Sequence, residues 1–200
     1  MAFDPRMTDE SDVALLMRCA EGDPSAAAEL YRRHAGPVYR FVWMVTGSDS
    51  EAADVLQETF IALLERRSGY DPARGSCTAY LCGVARHLVY RRFDSRSEPV
   101  AEIEQLAEDS ADSAASLLPP PHEHAERAQA LARLRAAIRA LPSHYRDILV
   151  LVELQEMSYA DAAAVAGIEI GTVRSRLARA RARLAELLNE PMAIGRGQGT

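Results

Sequence analysis

An interruption constrains this chain more than any other feature. Apolar residues recur at helical spacing over residues 8–93 and again over 127–190, whereas residues 94–126 carry nine acids, one Arg and a closing Pro119-Pro120-Pro121. A stretch dominated by acids, Ser and Ala buries too little apolar surface to offset the entropy lost on ordering. It is therefore expected to be a flexible acidic linker, with His122 and His124 as tether residues, between two separately folded parts. The final residues, 191–200, with Gly195, Gly197 and Gly199, are expected to be a disordered tail.

Within the first part the punctuation marks several helices. Ser11-Asp12 caps a segment through Val13, Leu15, Leu16 and Cys19 that ends near Gly22. Asp23-Pro24 opens the next, with Ala27, Leu30 and Tyr31 on one face, and a stretch through Val38, Phe41, Val42 and Val45 closes at Thr46-Gly47. Ser48 or Ser50 then starts a helix bearing Ala53, Leu56, Phe60, Ile61 and Leu64. After a turn at Tyr70–Gly75, helical spacing returns with Tyr80, Leu81, Val84, Leu88 and Val89. Nothing alternates with period two, so the expected fold is all-α: two small helical domains joined by the linker.

Several functional classes are disfavoured. No apolar run approaches the roughly 18 residues of a membrane span, and the acidic start MAFDPRMTDESD is unlike a secretory signal, so a cytoplasmic location is expected. Cys19, Cys77 and Cys82 form no CxxC pair and read as reduced thiols. Cys77, Cys82 and His87 are spaced by five, and on a helix successive members point about 140° apart, so they do not converge on one ion. No metal site and no cofactor are expected. There is no Gly-rich phosphate loop, HExxH or GxSxG, and His34, His87 and His144 have no evident nucleophile, so no enzymatic activity is expected.

The formal charge of −6 conceals an uneven distribution: −2 over residues 1–93, −8 over 94–126 and +3 over 129–188. Every basic residue is Arg, so placement is more informative than number. Ser158 can cap a helix over 159–166, Gly167 supplies a positive φ, and small Ala163 lets a following helix cross closely. That second helix, starting near Gly171 or Thr172, turns Val173, Leu177 and Leu184 inward. This pattern is a helix-turn-helix, whose second helix enters the major groove. Thr172, Arg174, Ser175, Ala178 and Arg179 then face DNA, where Arg can bond guanine bidentately, and Arg176 and Arg183 flank them toward phosphates.

The run from Leu141-Pro142 through Arg146, Leu149, Leu151, Ser158-Tyr159, Ala163, Gly167, Gly171-Thr172-Val173, Arg174-Ser175-Arg176 and Arg179-Ala180-Arg181 resembles the promoter-reading domain of extracytoplasmic-function (ECF) RNA polymerase sigma factors. Ala20-Glu21-Gly22-Asp23-Pro24, Leu30 to His34, Val38-Tyr39-Arg40 and Asp54 to Phe60 resemble the other conserved domain of that family. The resemblance implies a polymerase-binding domain over 8–93 and an upstream-element reader over 127–190. It implies core RNA polymerase (largest-subunit clamp helices, and flap) and promoter DNA as partners, an anti-sigma factor as a further one, and a stress or environmental-response regulon. Asp54, Gln57, Glu58 and Ile61 share one helical stripe and would meet the clamp. Tyr80, Arg86, His87, Tyr90, Arg91 and Arg92 would engage the downstream element, by phosphate contacts and by stacking on an unpaired base. Here the sequence departs from the family, which usually has Trp at Tyr80, Asn at His87 and often Asp at Arg91. The acidic linker would thread a basic polymerase channel toward the RNA exit path, or be a plain tether. The competing reading is a helix-turn-helix regulator that does not bind core polymerase as a sigma subunit.

Overall fold

The computed structural model describes residues 10–65, 69–96 and 122–189. Among these there are eight α-helices and no strand. The first part comprises α1 (Asp12–Ala20), α2 (Pro24–Thr46), α3 (Asp49–Glu65) and α4 (Cys77–Arg96). The second comprises α5 (His122–Arg139), α6 (Ser143–Leu149), α7 (Tyr159–Ala166) and α8 (Ile170–Asn189). Most of the acidic stretch and the tail lie outside the described residues, and the linker and tail expectations with them. The elements on either side run further than the sequence pattern marks: α4 reaches Arg96, and α5 begins at His122, immediately after the prolines, so His122 and His124 belong to its first turn.

The helix starts follow the capping residues. Ser11 Oγ accepts from the Ala14 N–H at 3.2 Å, Asp23 Oδ1 from Ser25 N–H at 2.8 Å and Ser48 Oγ from Glu51 N–H at 3.2 Å. Each satisfies an N–H that the first helical turn leaves without an intrahelical partner. One difference is α2, a single 23-residue helix that passes through Gly36-Pro37. Proline costs the helix a donor there, but Leu30 and His34 before it and Val38, Phe41 and Val42 after it are all buried along the same side. Shared burial on both sides holds the two halves in line. The apolar face of α2 is thus Ala26, Leu30, His34 and Val38, and Tyr31, expected to lie on it, is 48% exposed and leans on Phe60 with ring centroids 4.9 Å apart.

The two parts pack against each other around a continuous core. At the end of α2, Gly47 adopts φ +75, and a side chain there would run 2.9 Å from Arg139 Cδ of α5. The guanidinium of Arg135 sits 5.2 Å over the Trp43 ring. α4 lies against α7, with Gly83 opposite the Val165 backbone. Gly75 has φ +146, and a Cβ there would fall 2.9 Å from Asp161 Oδ1, the atom that accepts the Ser76 N–H at 3.2 Å. Left-handed backbone and close approach together explain glycine at that position. Leu131 of α5 is 51% exposed despite its apolar side chain.

Candidate nucleic-acid and polymerase interfaces

The helix-turn-helix forms for the reasons read from its residues. Ser158 Oγ accepts from Asp161 N–H at 3.0 Å, and Gly167 closes α7 at φ 67 with its N–H bonded to the Ala163 carbonyl. Val173, Leu177 and Ala180 of α8 are buried, and Leu184 continues the stripe half-buried. Rotation by about 100° per residue then dictates the opposite face. Arg174, Ser175, Ala178 and Arg179 are exposed there, while Thr172 and Arg176 are half-buried at its flanks. Arg183 is exposed one turn further on and pairs with Glu186 at 2.8 Å, and Arg181 is held by Glu153. Arg174, Arg176 and Arg179 have no acidic partner among the described residues. Arg174 lies 6.0 Å over the Tyr159 ring, which stiffens it without neutralising it. The cations left uncompensated are those nearest the N-terminal half of α8.

Before the turn, α6 loosens into a π-helical stretch, Val150–Leu154, ending with Gln155 N–H bonded to the Val150 carbonyl at 3.0 Å. Glu156 follows at φ 54. Neither feature has a signature in the apolar periodicity.

In the first part, Asp54, Gln57 and Ile61 are exposed on α3, opposite Val55, Leu56, Thr59 and Phe60 in the core. Leu64, at 39% exposure, extends the stripe, so this face mixes a carboxylate and an amide with two aliphatic groups. Glu58 is half-buried at its edge and already engaged: its carboxylate accepts from Arg92 at 2.6 Å and lies 4.0 Å from Arg91. The two candidate surfaces therefore meet at Glu58.

The candidate residues of α4 divide. His87 and Arg91 are exposed. Tyr80 is half-buried and packs against Tyr70 with centroids 5.8 Å apart. Arg86 and Tyr90 point toward the second part, where Asp147 of α6 is 1% exposed. Arg86 Nε donates to its Oδ2 at 2.7 Å, and the Tyr90 hydroxyl stands 3.0 Å from both carboxylate oxygens. Arg86 also sits 4.8 Å over the Tyr90 ring. Burial first, and then the Asp147 charge, push the Tyr90 phenol up to about 12. Asp147 is a site residue that sequence reasoning missed, because no local pattern reveals a carboxylate whose partners lie some sixty residues away.

The Sigma-70 region 2 family matches residues 30–98 and the Sigma-70 region 4 family matches residues 131–184. The ECF RNA polymerase sigma factor SigM of Mycobacterium tuberculosis is 33% identical over 183 residues, covering 90% of this chain and 86% of that protein. The chain belongs to the ECF family of RNA polymerase sigma factors. ECF RNA polymerase sigma factor SigE of Mycolicibacterium smegmatis is 33% identical over 172 residues, and this sigma factor spans 65% of that relative's length. A solved structure of CnrH in complex with the cytosolic domain of CnrY superposes with a TM-score of 0.64 at 26% identity, covering 90% of this chain and 97% of that one. No helix among the described residues is long and apolar enough to cross a membrane.

Proposed function

We propose that this sigma factor acts in the cytoplasm, recruits core RNA polymerase through the exposed face of α3 and reads the upstream promoter element with the N-terminal half of α8. The observation that carries the assignment is the set Arg174, Arg176 and Arg179, which has no acidic partner among the described residues on a helix whose other face is fixed by Val173 and Leu177. Buried apolar groups hold the register, and cations aimed away from them meet a polyanion. His87, Arg91, Arg92 and Tyr80 supply phosphate contacts and a stacking surface for the downstream element, with Arg86 and Tyr90 joining when the Asp147 contact opens. Asp54, Gln57 and Ile61 offer the clamp helices a polar stripe with an aliphatic centre, and Glu58 joins once Arg92 releases it. The second part contacts the flap. The acidic stretch lies along the polymerase's RNA path. Polymerase supplies all the chemistry. CnrH is captured with the cytosolic domain of CnrY, and a protein that occupies this chain in a similar way, an anti-sigma factor, is also proposed as a partner here.

The test is transcription from fragmented genomic DNA by core polymerase with and without the purified chain. Start sites that appear only with the chain and share an upstream element support the reading. A chain that binds DNA fragments yet never changes polymerase output would favour the regulator reading instead.

A further inference from the structure

Three helices of the first part bring Asp12, His34 and Cys77 together. One ligand atom from each lies within 4.8 Å of the other two. They come from the first turn of α1, the middle of α2 and the start of α4, so neither sequence distance nor helical periodicity links them. His34 is 7% exposed and Cys77 2% exposed. The arrangement around the imidazole is unusual for a packed histidine. Nδ1 is 2.9 Å from Thr78 Oγ1, an ordinary hydrogen bond. Nε2 is 3.1 Å from Asp12 Oδ2 but makes no hydrogen bond of acceptable alignment, although it is fully removed from solvent. A buried ring nitrogen lacking an aligned partner is costly.

From this geometry we propose that Asp12, His34 and Cys77 form a binding site for a borderline-soft divalent cation, with Zn²⁺ as the occupant. With Nδ1–H given to Thr78, Nε2 carries a lone pair that faces a carboxylate oxygen and is repelled unless a proton or a metal cation lies between them, and the 3.1 Å approach makes no aligned hydrogen bond for a proton. Imidazole, thiolate and carboxylate form a donor set that zinc accepts. Tetrahedral zinc with bonds of about 2.0–2.3 Å holds its ligand atoms roughly 3.3–3.8 Å apart, so closing the cage needs a contraction of about 1 Å at its widest. The Thr78 contact is the outer hydrogen bond that fixes the tautomer and ring orientation of a metal-binding histidine. Arg33 Nη1, 3.2 Å from Asp12 Oδ1, occupies the other carboxylate oxygen and leaves Oδ2 toward the site. Three protein ligands leave the fourth position open. Because cysteine ligates as a thiolate, the ion replaces the thiol proton when it binds. Loading would tie α1 and α2 to the start of α4.

The experiment uses the full chain, stripped with a chelator and titrated with Co²⁺ while the near-ultraviolet and visible absorption is followed. Expected is one equivalent per chain, a thiolate-to-cobalt charge-transfer band with intense tetrahedral bands, and loss of both when Zn²⁺ is added. Cys77→Ser, which keeps size and the helix start, should abolish the charge-transfer band. Cys82→Ser, the buried thiol outside the cluster, should leave it intact. Thr78→Val should weaken Zn²⁺ binding about 10–100-fold. Far-ultraviolet dichroism of each variant establishes that it is folded, and His34→Gln is read only if it passes. Absence of one-to-one binding by the wild-type chain would overturn the site, as would a band that survives Cys77→Ser or disappears with Cys82→Ser. In that case the cluster is a buried imidazolium–carboxylate pair beside an inert thiol.

Discussion

Arg174 and Arg176 are two positions apart on α8, yet their surroundings differ, and the proposed DNA contact gives them different work. Arg174 is exposed beside Tyr159, and Arg176 is half-buried at the flank of the helix. A bidentate Arg–guanine pair contributes about 1–3 kcal/mol of discrimination. Arg174→Ala is therefore expected to weaken binding to the cognate upstream element by roughly ten- to a hundredfold and to scrambled duplex much less. Arg176→Ala should weaken both alike and lower the salt slope by about one counterion. Anisotropy of the chain in complex with polymerase, at several salt concentrations, separates them, and equal losses on both duplexes for both variants would reduce α8 to a nonspecific basic surface. A second residue-scale prediction concerns acid. Ser25 and Arg18 hold Asp23 at about 2, and Arg32 and Arg33 hold Glu29 at about 2, both below the ordinary carboxylate range. Depressed carboxylates contribute stability that is present above their unfolded value near pH 4 and is lost as pH falls toward 2. The thermal midpoint should drop across that window, and less steeply in Asp23→Asn; a variant as acid-sensitive as the wild type would assign the loss elsewhere. The α8 face was legible from the sequence because 3.6 residues per turn ties Arg174 and Arg179 to the buried Val173 and Leu177. The Arg181–Glu153 and Arg183–Glu186 pairs, which decide which arginines remain uncompensated, were not.

Among the elements, α3 was read in part: Leu56 and Phe60 are buried as expected, but Ala53, Ile61 and Leu64 of its apolar pattern are exposed, and Ala52, Val55, Thr59 and Leu63 complete the core instead. α2 carries Gly36-Pro37, which ordinarily ends a helix, and only tertiary burial on both sides keeps it continuous. The π-helical stretch after α6 likewise has no signal in the local apolar pattern. The α3 assignment can be tested more cleanly than by substituting Glu58. Reversing the charge of Glu58 would set a new cation against Arg92 and Arg91 and disturb α4 as well. Asp54 is exposed, so Asp54→Arg changes the surface alone. Asp54→Arg should lower affinity for core polymerase at least about tenfold, the equivalent of 1.4 kcal/mol, with the helical dichroism unchanged. Gel filtration with core enzyme gives the answer, and a full-strength complex would remove α3 from the docking surface.

At the scale of the whole molecule, division into two helical parts was legible from the sequence, whereas their packing onto each other was not. Apolar faces announce that they are buried without saying against what, and the acidic stretch between the parts suggests independence. The contact bears on the proposed DNA surface, because Asp147 holds Arg86 and Tyr90 of α4 while itself 1% exposed. If Arg86 and Tyr90 serve the proposed downstream-element surface, DNA would have to compete with α6 for the same groups while that contact stands. Asp147→Asn keeps the shape and removes the charge. Breaking a fully buried ion pair costs about 3–5 kcal/mol; here the 28% exposure of the Arg86 side chain limits the loss, to about 1–3 kcal/mol on the scale of hydrogen bonds to charged groups. Most of that loss falls on the contact between the parts, where Asp147 meets Arg86 and Tyr90. The variant should therefore remain helical and show a larger radius by small-angle scattering. It should also bind a single-stranded downstream-element oligonucleotide more tightly than the wild-type free chain does. Arg86→Ala separates opening from contact: it too should loosen the packing, yet bind the oligonucleotide no better than wild type because it lacks the phosphate ligand. Equal radii and equal oligonucleotide affinities for wild type and Asp147→Asn would show that the contact does not restrain α4, and Arg86 and Tyr90 would then be structural residues alone.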